Sequence, residues 1–185
     1  MPHKLRLFFA VDLAPQVKST LIDFQSSFSL RNARAVPPEN FHITLSFLGE
    51  TSDRDLDLIL SSLRAPHISP FDICLSHSIF WPKPKILGLQ VEDQNKRLAQ
   101  CKHELESQLA GLGIRHFDKK KYHPHVTLFR KVEVPPKQMS EFNTEVKIRE
   151  ICLMESRNQR QNVAYYPLET WSLKPPGIKE QLLGR

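Results

Sequence analysis

The tetrapeptide His-Ile-Thr-Leu begins at residue 42, and His-Val-Thr-Leu begins at residue 125. Both sit in apolar, β-prone runs, and this doubled H-x-T unit constrains the fold more than any other feature of the chain. In a β-strand alternate side chains share a face. His42 and Thr44 therefore project together, as do His125 and Thr127, while Ile43, Leu45, Val126 and Leu128 turn into a core. Two such strands set side by side bring two imidazoles and two hydroxyls onto one concave surface. An imidazole gives or takes a proton near neutral pH, and a threonine hydroxyl donates a hydrogen bond to a phosphoryl oxygen. The set suits phosphodiester hydrolysis without a metal, with one histidine as base and the other as acid. A single H-x-T strand is commonplace; the duplication carries the reading, although Pro124 replaces the apolar residue that precedes the first histidine.

The chain's 185 residues fit one domain, or two small lobes sharing a core. At 40% hydrophobic and 25% charged it has the composition of a soluble globular protein. No apolar run approaches the ~20 residues that span a bilayer. The start, Met-Pro-His-Lys-Leu-Arg, lacks the apolar region of a signal peptide. Cys74, Cys101 and Cys152 are odd in number, widely spaced and form no zinc pattern, so they read as buried thiols in a reducing compartment. The expected location is the cytoplasm, with no membrane contact and a monomeric chain. The net charge of +6 permits a polyanionic partner such as RNA without requiring one.

Period and punctuation predict ten main elements. Leu5 to Leu13 reads as a buried strand, and Pro15 opens a helix to about Leu30. Arg31 to Asn40 reads as a polar loop. Phe41 to Leu48 is the first motif strand, closed by Gly49, and Thr51 caps a helix to about Leu63. Phe71 to Phe80 and Lys85 to Val91 are strands joined by a Trp81-Pro82-Lys83-Pro84 turn. Gln94 to Leu112 is a helix with Leu98, Cys101, Leu105 and Leu109 on one stripe. Val126 to Phe129 is the second motif strand. Pro135-Pro136 marks a loop, and strands at Lys147 to Met154 and Val163 to Tyr166 close the chain. Each half has a helix leading into a motif strand. The expected fold is α+β: one bilobal domain over residues 1–185, with lobes related by a rough pseudo-two-fold axis. Antiparallel sheets line a central cleft, the helices lie outside, and the tail from Pro175 is peripheral.

Three segments together resemble a known family. They are Arg-Leu-Phe-Phe-Ala-Val-Asp-Leu (6–13), Asn-Phe-His-Ile-Thr-Leu-Ser-Phe-Leu-Gly-Glu (40–50) and His-Pro-His-Val-Thr-Leu-Phe-Arg (123–130). The chain is similar to the two-histidine phosphoesterase superfamily, and within it to the bacterial RNA 2′,3′-cyclic phosphodiesterases, also called 2′-5′ RNA ligases. The resemblance implies a bilobal α+β fold and opening of an RNA 2′,3′-cyclic phosphate to a 2′-phosphate. It also implies 2′-5′ joining in some members, with no metal or nucleotide cofactor. The implied substrates are RNA ends such as those of tRNA fragments, or a cyclic nucleotide. His42, Thr44, His125 and Thr127 match the catalytic positions. Phe47 and Arg130 match the positions that hold the nucleobase. By the same resemblance His125 is the base that activates water and His42 the acid that protonates the departing 3′-oxygen.

Phe47 and Arg130 pose a geometric difficulty, because a residue five positions after its histidine falls on the opposite face of a regular strand. A bulge near Ser46 and another near Phe129 would turn them back. Lys119-Lys120-Lys121 reads as a solvated loop or as a guide for longer RNA. His123 reads as structural, and His3, His67, His77, His103 and His116 form no constellation. Three rivals remain open at this level. A metal hydrolase lacks a further ligand at a convincing spacing, and an RNA-binding module lacks an aromatic-rich strand signature. A relative acting on a small cyclic phosphate is separable only by its substrate.

Overall fold

The computed structural model describes residues 4–115, 121–159 and 163–175. The strands are β1 (Lys4–Asp12), β2 (Arg34–Ala35), β3 (His42–Ser52), β4 (Phe71–Trp81), β5 (Ile86–Glu92), β6 (His125–Arg130), β7 (Glu141–Ile148), β8 (Glu150–Asn158) and β9 (Val163–Ser172). The helices are α1 (Pro15–Ser26), α2 (Asp53–Ser62) and α3 (Arg97–Gly111), with a short 3-10 turn at Pro38–Asn40. The fold is α+β, built on a curled sheet in which every pairing is antiparallel, ordered β7-β4-β5-β6-β3-β1-β8-β9, with β2 paired to β6.

The expected two sheets are joined into one. Their seam is a single registered pair, Ile43 opposite Val126, between the two motif strands. Outward from the seam one half runs β3-β1-β8-β9 and the other β6-β5-β4-β7. Each half is built by the same path through the chain: strand, helix, motif strand, as β1-α1-β3 and as β5-α3-β6. This is the pseudo-two-fold arrangement in topological form.

The inner strands follow the alternation rule. Ile43, Leu45, Val126 and Leu128 are buried in one cluster with Leu21 of α1, Ile59 of α2 and the α3 stripe Leu98, Cys101, Leu105 and Leu109. The helices therefore cover one face of the sheet, and each fully buried leucine contributes ~1.5–3 kcal/mol. The opposite face stays open around His42 and His125. Local signals set the helix ends. Pro15 starts α1, and the Ser52 hydroxyl accepts the Asp55 N–H at 3.2 Å to cap α2. At the end of α3, Gly113 at φ 84° allows Ile114 N–H to reach back to the Leu109 carbonyl at 2.9 Å.

Several boundaries differ from the sequence expectation. The cap of α2 is Ser52 rather than Thr51, and α1 stops at Ser26 rather than near Leu30. Gly49 does not close the first motif strand: at φ 71° it lets β3 continue to Ser52. The expected strand at Lys147 to Met154 is the junction of two, β7 and β8, which part at Arg149. The loop at Arg31 to Asn40 contains β2 and the 3-10 turn. Cys101 and Cys152 are buried as expected, while Cys74 is only half-buried. Lys119, Lys120 and residues 176–185, most of the lysine run and of the tail, lie outside the described residues, while Lys121 and Pro175 are exposed. Among the described residues, no helix is long and apolar enough to cross a membrane.

Candidate active site

Both motif strands carry the bulge that their spacing demanded. Along β3, Thr44 lies opposite Ala10 and Ser46 opposite Phe9, leaving Leu45 as an extra residue. Along β6, Thr127 lies opposite Gly88 and Phe129 opposite Leu87, leaving Leu128 extra. Consecutive residues Leu45 and Ser46 are therefore both buried, as are Leu128 and Phe129, and the alternation restarts one residue late. Phe47 and Arg130 return to the face of the histidines as exposed side chains.

A bulge disrupts ladder pairing, and other side chains make up the loss. Gln25 of α1 donates to the Leu128 carbonyl at 2.7 Å and to the Val36 carbonyl at 3.0 Å. The Tyr122 hydroxyl donates to the Thr44 carbonyl at 3.1 Å. Behind β3, the buried Ser46 hydroxyl donates to Glu106 of α3 at 2.6 Å, and Glu106 also pairs with Lys102. Buried polar groups at both bulges are thus satisfied, as burial requires.

A cleft of about 690 Å³ opens on this face and brings together His42, Thr44, Phe47, His125, Thr127 and Arg130. Arg6, Arg34 and Arg130 line it, and no carboxylate does among the described residues. The cleft is built for an anion. Each imidazole is oriented by a main-chain carbonyl two residues upstream: His42 Nδ1 lies 2.7 Å from the Asn40 oxygen, and His125 Nδ1 lies 2.8 Å from the His123 oxygen. Nδ1 can only donate to a carbonyl, so the neutral tautomer leaves Nε2 unprotonated. His42 Nε2 is 2.9 Å from Thr44 Oγ1, which fits the hydroxyl donating to the ring.

Burial pushes the His42 pKa down from 6.5 to about 4; the Asn40 carbonyl opposes this, and the charges of Arg130 and His125 reinforce it. His125 is lowered by the same causes, burial first, with the His123 carbonyl opposing and Arg130 adding to the shift. Both rings are therefore neutral near pH 7. An incoming phosphate anion reverses the balance, because a negative charge beside an imidazole favours its protonated form.

The model of the family described as LigT-like phosphoesterase matches residues 11–88 and again residues 87–165. The two matches divide the chain into two stretches, each with one H-x-T strand. The chain belongs to the LigT-like phosphoesterase family. It is 31% identical over 181 residues to the RNA 2′,3′-cyclic phosphodiesterase of Escherichia coli K12, covering 94% of this chain and 99% of that one. The enzyme of the same name from Thermus thermophilus is 30% identical over 191 residues, covering 97% of this chain and 96% of the relative. Among solved structures, Escherichia coli LigT complexed with 3′-AMP superimposes with a TM-score of 0.79 at 30% identity, over 93% of this chain and 99% of that one.

Within this LigT-like frame, several cleft residues escaped the sequence reading. Asn40, at the end of a segment that reads as a polar loop, is buried, orients His42 through its carbonyl, and donates from Nδ2 to the Val163 carbonyl of β9 at 2.6 Å. Phe8 and Tyr165 stand beside His42, with ring centroids 5.1 and 5.0 Å away, and Trp81 stands 4.7 Å from His125. Phe8 and Tyr165 lie in segments that read as strands, and Trp81 in one that reads as a turn although it ends β4; nothing local marks any of them as facing the cleft. His123, read as structural, supplies the carbonyl under His125 and also lines the cleft. Among the described residues, no group of three or more His, Cys, Asp or Glu side chains is placed to hold a metal ion, whereas a typical catalytic zinc site has three protein ligands.

Proposed function

We propose that this protein is an RNA 2′,3′-cyclic phosphodiesterase that opens a terminal cyclic phosphate to a 2′-phosphomonoester. The observation that carries the reading is the pairing of two imidazoles, each held through Nδ1, in one arginine-lined, carboxylate-free cleft. The family membership and the named activity of the Escherichia coli and Thermus relatives support it. The substrate is RNA carrying the cyclic end. One bilobal unit is required, since each half of the sheet contributes one histidine, and three free cysteines suit the reducing cytoplasm.

In the proposed reaction, water attacks phosphorus opposite the 3′-oxygen. Neutral His125 accepts the water proton at Nε2, and protonated His42 gives its Nε2 proton to the departing 3′-oxygen. The 2′-oxygen stays bonded to phosphorus. Thr44 and Thr127 donate to the non-bridging oxygens as charge builds, and Phe47 and Arg130 hold the base by stacking. Each proton transfer contributes ~10²–10⁴-fold. The exchanged assignment, His42 as base, is favoured by one observation: burial pushes the His42 pKa down to about 4, away from the acid form.

The test is an assay in EDTA on a short RNA ending in a 2′,3′-cyclic phosphate. It compares wild type with His42→Ala and His125→Ala and maps the position of the product phosphate. The expected result is a 2′-phosphate made by wild type and activity lost in both variants; activity surviving in both would overturn the reading. A substrate with sulfur in place of the 3′-oxygen assigns the roles. A thiolate leaves without an acid, so this substrate rescues only the variant that lacks the general acid.

A further inference from the structure

Trp81 is a cleft residue that the proposed reaction does not use. It ends β4, opposite Ile86 in the neighbouring strand, and its half-buried indole reaches the cleft beside His125. The sheet makes room for it. Gly88 lies under the indole, and a Cβ there would meet the Val126 carbonyl oxygen at 2.4 Å and Trp81 Cζ3 at 3.3 Å. The corresponding position in the other half, opposite Thr44 rather than Thr127, is Ala10. The His125 half therefore gives up a side chain, and an aromatic plate leans across the strand. Pro84 and Ile86 continue the apolar wall from Trp81, on the same cleft that Arg34 and Arg130 make cationic.

An apolar plate flanked by guanidinium groups is the pattern that recognises single-stranded nucleic acid: arginines follow the phosphates, and each base stacks on a flat ring. The terminal base is already assigned to Phe47 and Arg130. We infer that Trp81 is the stacking platform for a second base, that of the nucleotide preceding the cyclic phosphate. This rests on the proposed phosphodiesterase reading and sharpens its substrate to an oligonucleotide end rather than a free cyclic mononucleotide. The competing role for the indole is to wall His125 in place, which would affect every substrate equally.

Kinetics separate the two. kcat/KM is measured for a 2′,3′-cyclic mononucleotide and for a dinucleotide with the same cyclic end, using wild type, Trp81→Leu and Trp81→Phe. Stacking worth ~1–3 kcal/mol per base corresponds to a preference of roughly 5- to 150-fold for the dinucleotide. Trp81→Leu is expected to remove at least about fivefold more of the dinucleotide rate than of the mononucleotide rate, and Trp81→Phe to restore most of that preference. Equal losses on both substrates, or a wild type indifferent to the second nucleotide, would overturn the inference while leaving the phosphodiesterase reading intact. Failure of wild type to open either substrate would instead overturn the phosphodiesterase reading.

Discussion

The two halves of the cleft share a motif and a bulge, yet they hold their histidines in different surroundings. His42 stands beside Phe8 and Tyr165, with its Nε2 already engaged by Thr44. His125 has an indole beside it and a carbonyl below. A repeated sequence therefore fixes the geometry of each half, while the aromatic residues beside each ring come from other strands. Burial is the first cause of the lowered pKa at both rings, and the Arg130 charge adds to it at both.

The largest expected effect comes from removing either ring. His42→Ala and His125→Ala should each lower kcat by ~10²–10⁴-fold, and the double variant should stay close to the worse single variant if the rings act as a pair. Steady-state rates on the cyclic-phosphate RNA check this: a double variant close to the worse single variant marks the rings as one unit, and a further full factor marks them as independent. Retention of one half-site's activity would mean the halves work independently. Next, Thr44→Val and Thr127→Val each remove one hydroxyl donor at nearly constant volume, for an expected ~10²–10³-fold loss in kcat. The Thr44 change should also alter the pH profile, because it removes the contact at His42 Nε2.

The remaining expected effects fall on stability. Gly88→Ala places a methyl against the Val126 carbonyl, and such overpacking costs ~1–3 kcal/mol. Ala10→Gly, its counterpart in the other half, leaves space instead and should cost less; chemical denaturation ranks the two. Stability also depends on pH. His42 binds its proton less readily folded, near 4, than unfolded, near 6.5. The unfolded chain therefore takes up the proton first, and stability falls as pH drops from about 6.5 to about 4. His125 adds to the same direction. A melting-temperature series should show this slope, and His42→Gln should flatten it. The smallest expected effect is that of Tyr122→Phe, which removes the donor to the Thr44 carbonyl for about 1 kcal/mol.

Much of the fold was legible because the strongest signals are periodic. The stripe Leu98, Cys101, Leu105 and Leu109 recurs at helical spacing and is fully buried on α3. The motif strands announced themselves by alternation, and the need for bulges followed from the binding positions that the family resemblance gave Phe47 and Arg130. β7 was missed over most of its length because Glu141, Asn143 and Glu145 give an edge strand little apolar content, and only Val146 and Ile148 are buried. β2 was missed because two residues, Arg34 and Ala35, carry no period. The six motif positions are near one another in sequence as two short runs, so pattern could find them. Phe8, Trp81 and Tyr165 come from three other strands, and only the folded register brings them to the rings. Gly49 was read as a terminator because a glycine after an apolar run usually is one; here its positive φ serves a continuing strand.

The seam between the half-sheets is the one registered pair Ile43 and Val126. These are the residues immediately after the two histidines. The separation of the two imidazoles is therefore set by backbone register next to the rings, and not by the reach of long side chains. Any change that shifts this one pair moves both rings relative to each other, whereas changes at the outer strands leave the pair in place.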